Sequence, residues 1–165
     1  MNPNAETLIK SLKNPVKLRV FLFNQLPSAF FSGVRIKELD QNRSVTTVPY
    51  KWFSKNPFRS TYFACLAMAA EMSTGVLAMA HTYKSSPTIS MLVTKLEANY
   101  FKKATGITNF TCEDGSLIES AIEKAIATGE GQTIRAKSTG TNQAGELVAE
   151  FFITWSFKAR KPQGK

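Results

Sequence analysis

The sequence predicts an α+β domain in which a curved antiparallel sheet wraps around one long central helix. Three observations predict it. The stretch from Asn56 to Tyr83 is a polar loop running into a helix, and from Tyr62 to Ala80 its only charge is Glu71. A helix that is apolar on every side is a buried helix. Other segments alternate apolar and polar residues between turn signals, as half-buried strands do. The order is two strands, the long helix, then four strands with a small helix inserted, so a sheet curling around the helix explains why it needs no polar face.

Taken in order, Glu6–Leu12 reads as a short helix with Leu8, Ile9 and Leu12 on one side. Asn14-Pro15 then supplies a cap and a proline at the first helical position, and a second helix runs to about Leu26, where Pro27 stops it. These helices form an N-terminal prefix over residues 1–28, expected to lie against the outside of the main domain at 29–160. Gly33–Leu39 and Ser44–Phe53 read as a hairpin around Asp40-Gln41-Asn42, with Pro49 marking an edge position or a bulge. The central helix ends near Tyr83. Ser90–Lys103 is a long strand, and Ile107–Cys112 another after the Thr105-Gly106 break. An amphipathic helix follows, with Ser116 and Glu119 at capping-box spacing and Gly129 closing it. Thr133–Thr141 and Glu146–Arg160 make a hairpin whose last strand points Leu147, Ala149, Phe151, Ile153, Trp155 and Phe157 to one face. The tail over residues 161–165 is expected to be disordered.

At 165 residues the chain suits one domain with a full core. Its formal charge of +9 points to an anionic partner such as nucleic acid, a membrane surface or a polyphosphate ligand, or else to scattered solubilising lysines. Two cysteines, Cys65 and Cys112, are too few for a disulfide framework and suit a reduced, cytoplasmic chain. No signal peptide is evident. Thr61–Ala80 has the length of a membrane span, but Glu71, Ser73 and Thr74 at its middle make insertion costly, so no span is expected. A single histidine, His81, gives no basis for a metal site and is expected in a solvated or dipole-stabilised place at the helix end. No G-x-S-x-G elbow, phosphate-binding glycine loop or dinucleotide fingerprint is present.

Glu71 carries most of the functional information. Ala64, Ala67, Met68, Thr74, Gly75 and Ala78 share its face at three- and four-residue spacing, and these mainly small side chains leave room beside it. An acid in an apolar setting is paired, protonated or functional.

The loop–helix junction, together with the element order, resembles the hotdog fold of acyl-CoA thioesterases and dehydratases. Phenylacetate-pathway and 4-hydroxybenzoyl-CoA thioesterases carry an Asn or Gln, six positions on a His-Gly-Gly, and nine positions past that His an Asp or Glu. Here Asn56 stands at the first position, Tyr62-Phe63-Ala64 at the second and Glu71 at the third. The segment Ala98–Gly106, ending in a basic residue, alanine, threonine and glycine, resembles the family's strand of that kind. The resemblance spans about Phe30 to Lys158, and the chain looks closest to a thioesterase-like branch with extra N-terminal helices.

The resemblance implies a hotdog fold and hydrolysis of an acyl thioester. Glu71 would act as nucleophile or general base, the Phe63 backbone N–H would hold the carbonyl oxygen, Asn56 would orient water or carbonyl, and Thr74 would hold the acid or the water. Tyr62, Ala64 and Met68 would line the substrate site, and Arg59, Lys95, Lys102, Lys103, Arg135 and Lys137 are the cations that would meet the phosphates of coenzyme A, or else form a solvated strand face. Coenzyme A enters as part of the substrate and no resident cofactor is expected. The family also implies a homo-oligomer, dimer or tetramer, with sites built across the interface. Tyr62 replaces the histidine, and Phe63 and Ala64 are larger than the glycine pair. These departures bear on turnover more than on the fold, so a non-catalytic binder of acyl chains or acyl-CoA is the alternative. A basic nucleic-acid-binding domain is a third class, resting on charge alone.

Overall fold

The computed structural model describes residues 2–160; the tail expected over 161–165 lies outside the described residues. Three helices open the chain: α1 (Ala5–Lys13), α2 (Pro15–Gln25) and α3 (Pro27–Ser32). Asn14 caps α2 as its position predicts, its Oδ1 accepting from the N–H groups of Val16 and Lys17 at 3.0 and 3.1 Å. Pro27 ends α2 but also starts α3, because a proline is tolerated at a first helical position. Gly33, at φ 81°, closes α3 in the left-handed conformation that glycine adopts without strain. The prefix therefore reaches residue 33.

The prefix does not lie on the outside. Ala5, Ile9, Leu12, Leu18 and Leu22 are all buried in the common core. Asn2 reaches the far end of the central helix, donating to the carbonyl of Tyr83 at 2.7 Å and so capping its last turn.

The rest of the chain runs β1 (Arg35–Leu39), β2 (Ser44–Val48), a 3-10 turn (Trp52–Ser54), α4 (Phe63–Thr82), β3 (Ile89–Tyr100), β4 (Thr108–Cys112), α5 (Gly115–Thr128), β5 (Gln132–Thr141) and β6 (Leu147–Ala159). The six strands form one curved sheet in the order β1-β2-β4-β5-β6-β3, every neighbour antiparallel. This is the expected architecture: a sheet wrapped around a central helix, with a small inserted helix. Two local expectations give way. Pro49 is neither at an edge nor in a bulge, since β2 is an inner strand and stops at Val48, just before it. Asp114, not Ser116, stands at the N-cap of α5, so the capping box does not form and the Ser116 hydroxyl pairs with Asn42 instead.

α4 is long and apolar enough to cross a membrane by length and composition, yet 67% of its most apolar window is buried inside the protein. Its alanines, Ala69, Ala70, Ala78 and Ala80, let it approach the sheet closely against Phe110, Phe151, Ile153 and Phe157. The polar contacts across that seam are hydroxyls. Thr46 donates to the Ala69 carbonyl at 2.6 Å, Ser44 donates to the Ser73 carbonyl, and the Ser73 and Ser138 hydroxyls meet at 2.8 Å. Each satisfies a buried polar group that would otherwise cost about 1–3 kcal/mol. His81 is buried rather than solvated, with its Nε2–H donating to the Gln41 carbonyl at 2.9 Å.

Candidate active site

Two of the concavities along α4 bear on the predicted site residues. The first, of about 750 Å³, opens at the start of the helix between the Asn56 loop and the end of β3, and is lined by Asn56, Phe58, Tyr62, Phe63, Phe101 and Lys102 among others. The loop holds itself together through Asn56. Its Oδ1 accepts from the Phe58 N–H at 2.9 Å and the Ser60 N–H at 3.3 Å, while its Nδ2 reaches the Ser60 hydroxyl at 3.1 Å. Asn56 is thus first a turn-shaping residue, with one N–H left over for a ligand. Tyr62 forms the N-cap without a side-chain cap bond, and its ring sits edge-on to Phe63 at 4.8 Å. Among the described residues, the backbone N–H groups of Phe63 and Ala64 have no acceptor in the chain. Such free donors at a helix start, with the dipole behind them, favour an anionic oxygen.

The second concavity, of about 340 Å³, lies further along α4 under α2. Leu18, Phe21, Leu22 and Leu26 form its roof, Met72, Gly75, Val76 and Met79 its helical wall, and Ile36, Met91 and Trp155 its ends on the sheet. The two terminal regions of the sheet, β1 through Ile36 and β3 through Met91, therefore come within reach of one cavity, and α2 fills the slot between them. Glu71 belongs to this cavity and also to a smaller one of about 170 Å³ beside Met68, Pro27 and Ala29.

The Glu71 carboxylate is half-buried and has neither hydrogen-bond nor ion-pair partner among the described residues. Burial alone pushes its pKa above the ordinary carboxylate range. Gly75, one turn further on, leaves it space: a Cβ there would stand 3.1 Å from Glu71 Oε1 and 3.4 Å from the Trp155 ring. Thr74 does not hold the acid. Its hydroxyl donates to the Glu71 backbone carbonyl at 2.9 Å and accepts from the Trp155 indole N–H at 2.8 Å, so it fixes the indole that closes the cavity.

The remaining predicted residues disperse. Lys102 lines the helix-start pocket but is paired with Glu146 at 2.6 Å, and Lys103 donates to the Phe58 carbonyl at 3.3 Å. Arg135 and Lys137 lie on the outer face of β5, paired with Glu97 at 3.0 Å and Glu150 at 2.5 Å, with Arg135 stacked 3.7 Å over Phe152. Arg59, in a left-handed backbone conformation at φ 59°, and Ala64 line neither concavity. Sequence reasoning missed Trp155, Met91 and the α2 leucines as neighbours of Glu71. The available signal was the four-residue spacing of Leu18 and Leu22, which gives α2 an apolar stripe that something must cover. Among the described residues no three His, Cys, Asp or Glu side chains are grouped so as to hold a metal ion.

The family model for the domain of unknown function DUF4442 matches residues 19–157. The chain belongs to the DUF4442 family. Among solved structures, this DUF4442 chain is similar to a Pseudomonas aeruginosa protein of unknown function described as a probable thioesterase (20% identity, 88% of this chain and 97% of that one, TM-score 0.74). It is similar to a Chlorobaculum tepidum protein of unknown function (18%, 92% and 99%, TM-score 0.74) and to a thioesterase from Haemophilus influenzae (14%, 87% and 90%, TM-score 0.63). No curated protein matches. At these identities the likeness establishes the fold alone, a hotdog fold.

Proposed function

We propose that this protein hydrolyses an acyl-CoA or a related acyl thioester, with Glu71 as its nucleophile or general base. The observation that carries the reading is an unpartnered, half-buried carboxylate set against an apolar cavity, a costly arrangement with no structural return inside the chain. The thioesterase-like fold supports it.

One chain does not complete such a site. Phe63 and Glu71 are eight residues apart on one helix, roughly 12 Å at about 1.5 Å per residue. A carbonyl held at the helix start therefore cannot also lie within about 3–3.5 Å of the carboxylate or its water. A second copy resolves this. β3 is a terminal strand with one unpaired edge, running from Met91, at the Glu71 cavity, to Tyr100, at the helix-start pocket. Two copies joined antiparallel along β3 about a two-fold axis set the Met91 end of one beside the Tyr100 end of the other. Each Glu71 then faces its partner's helix start.

In that dimer the acyl group enters the cavity under α2, and its carbonyl oxygen accepts from the partner's Phe63 N–H. As base, Glu71 takes a proton from water, the oxygen attacks the carbonyl carbon, and negative charge collects on the oxygen held at the helix start. Collapse breaks the carbon–sulfur bond, and the proton returns to the departing thiolate. As nucleophile, the carboxylate would expel the thiolate first and form an anhydride that water then opens. After a single turnover in ¹⁸O-water, label in Glu71 itself identifies the second route, since it arises only where water opens the anhydride at the Glu71 carbonyl carbon; trapping the acylated enzyme covers attack at the other carbonyl.

The test is hydrolysis of a panel of acyl-CoA substrates by the purified chain and by Glu71→Gln. Turnover that survives the substitution removes Glu71 from the reaction. One observation favours a second reading, non-catalytic acyl-CoA binding: Phe63, 57% exposed, puts a ring where the thioesterase motif it resembles has glycine. Calorimetric binding without turnover across the panel identifies that case.

A further inference from the structure

We infer that α2, α3 and the Trp52–Ser54 turn form a docking surface for anionic phospholipid. The inference stands apart from the thioester reading and rests on the opposite side of α2. Leu18 and Leu22 face the core, whereas Val16, Val20 and Phe23, at four- and three-residue spacing, are 70%, 56% and 55% exposed. From Phe23 an aromatic ridge runs across the surface, with ring centroids 6.4 Å from Phe23 to Phe31, 5.7 Å from Phe31 to Phe53 and 6.3 Å from Phe53 to Trp52. Trp52, at its end, is 79% exposed. A continuous apolar ridge of this length marks an interaction surface.

Charge selects the partner. No acidic residue lies between Glu6 and Glu38 or between Asp40 and Glu71, while residues 7–70 carry ten Lys and Arg against two carboxylates, eight of the nine net charges. Several of these cations border the ridge. The Arg19 guanidinium lies 3.7 Å over the Phe30 ring, and Phe30 touches Phe23 and Phe31. Lys51 folds over Gly33 at the end of α3, where a Cβ would come within 2.6 Å of its Nζ, and Lys17 follows Val16 on α2. Among the described residues none of Lys17, Arg19 and Lys51 is in an ion pair. Aromatic and aliphatic side chains flanked by unpaired cations are what a protein lying in an anionic lipid interface presents. A second copy seated face to face on this surface would gather Lys17, Arg19 and Lys51 of both copies into one interface, a like-charge crowding that no acid between Glu6 and Glu38 or between Asp40 and Glu71 answers. Nucleic acid would satisfy the cations but give Val16 and Val20 nothing to pack on, since base stacking uses aromatic rings.

Trp52 is a built-in probe. The other tryptophan, Trp155, is buried and bonded to Thr74. The full chain is mixed with vesicles of phosphatidylglycerol and phosphatidylcholine, or of phosphatidylcholine alone. The expected result is sedimentation with the anionic vesicles only, a blue shift of emission that Trp52→Phe removes, and weakening with salt. Lys17→Gln and Lys51→Gln should each weaken binding about fivefold, and Phe23→Ser with Trp52→Ser should abolish the salt-resistant part. Failure to sediment with anionic vesicles at low salt overturns the inference. So does unchanged vesicle affinity in the lysine variants, whose exposed positions keep the fold intact by thermal melting. Loss of subunit association in Phe23→Ser/Trp52→Ser by ultracentrifugation, without vesicle binding by the wild-type chain, reassigns the ridge to a second copy.

Discussion

Glu71 is held where its charge is least welcome, and that makes its behaviour testable in two independent ways. If the carboxylate is base or nucleophile, Glu71→Gln should lower kcat by about 10²–10⁴ while leaving acyl-CoA binding measurable by calorimetry. Because burial raises its pKa, the acid limb of the kcat/KM profile should fall above the ordinary carboxylate range rather than within it. The stability consequence has a definite sign. Between the unfolded and the raised folded pKa the native state binds more protons, so this group's contribution to stability falls as pH rises through that window. Glu71→Gln should therefore melt higher than wild type at neutral pH, and the gain should vanish in acid, where both states are protonated; equal melting temperatures at pH 7 would remove the burial penalty from the account. At this scale the sequence was partly legible. A lone acid among small helical neighbours can be read from spacing. The partner of Thr74 cannot, because Trp155 lies 81 positions away and only the folded sheet brings it there.

At the scale of elements, α2 has two faces, and its inner one sets stability. Leu22 is fully buried and also lines the Glu71 cavity, so Leu22→Ala should cost about 2–5 kcal/mol in denaturant melts, whereas Val20→Ala on the outer face should stay within about 0.5 kcal/mol. Equal costs would mean the helix is not seated as described. The helices themselves were legible: the spacing of Leu8, Ile9 and Leu12 set α1, Asn14 and Pro15 set α2, and the apolar run set α4. What could not be read was where the prefix docks, since an apolar helix states that it is covered but not by what. α3 was hidden for another reason, because Pro27 carries the same signal as a stop and as a start. The start of α4 offers a cleaner experiment than most helix termini. Phe63 is the first helical residue, and Tyr62 before it sits at φ −61°, ψ 134°, which suits a residue preceding proline. Phe63→Pro should thus delete one backbone N–H with the fold retained. If that N–H holds the developing oxyanion, the rate should fall about 10²–10³ with little change in melting temperature. An unchanged rate in the folded variant would take the helix start out of the mechanism.

For the whole molecule the question is how the two concavities on α4 come to serve one reaction. A twelve-residue terminal strand with an unpaired edge is a liability unless something pairs with it, and β3 exposes Leu92 and Leu96 along its length. In the dimer proposed above, antiparallel pairing of β3 with its copy would cover that edge and, by the same two-fold, would set each carboxylate opposite the other subunit's helix start. The arrangement predicts complementation. Glu71→Gln and Phe63→Pro should each be strongly slowed as homodimers, but in a mixed dimer one site would combine both defects while the other would join an intact Glu71 to an intact Phe63 N–H. Mixing the two variants under subunit exchange should therefore restore activity, towards half the wild-type value per mixed dimer. If Glu71 and Phe63 worked within one chain, every site in the mixture would keep one defect and activity would stay at the level of the parents. The readout depends on geometry rather than on residual rates, because neither variant alone can contribute the missing group. Recovery measured against the fraction of mixed dimer, obtained with two distinguishable tags, decides whether the site belongs to one chain or to the pair.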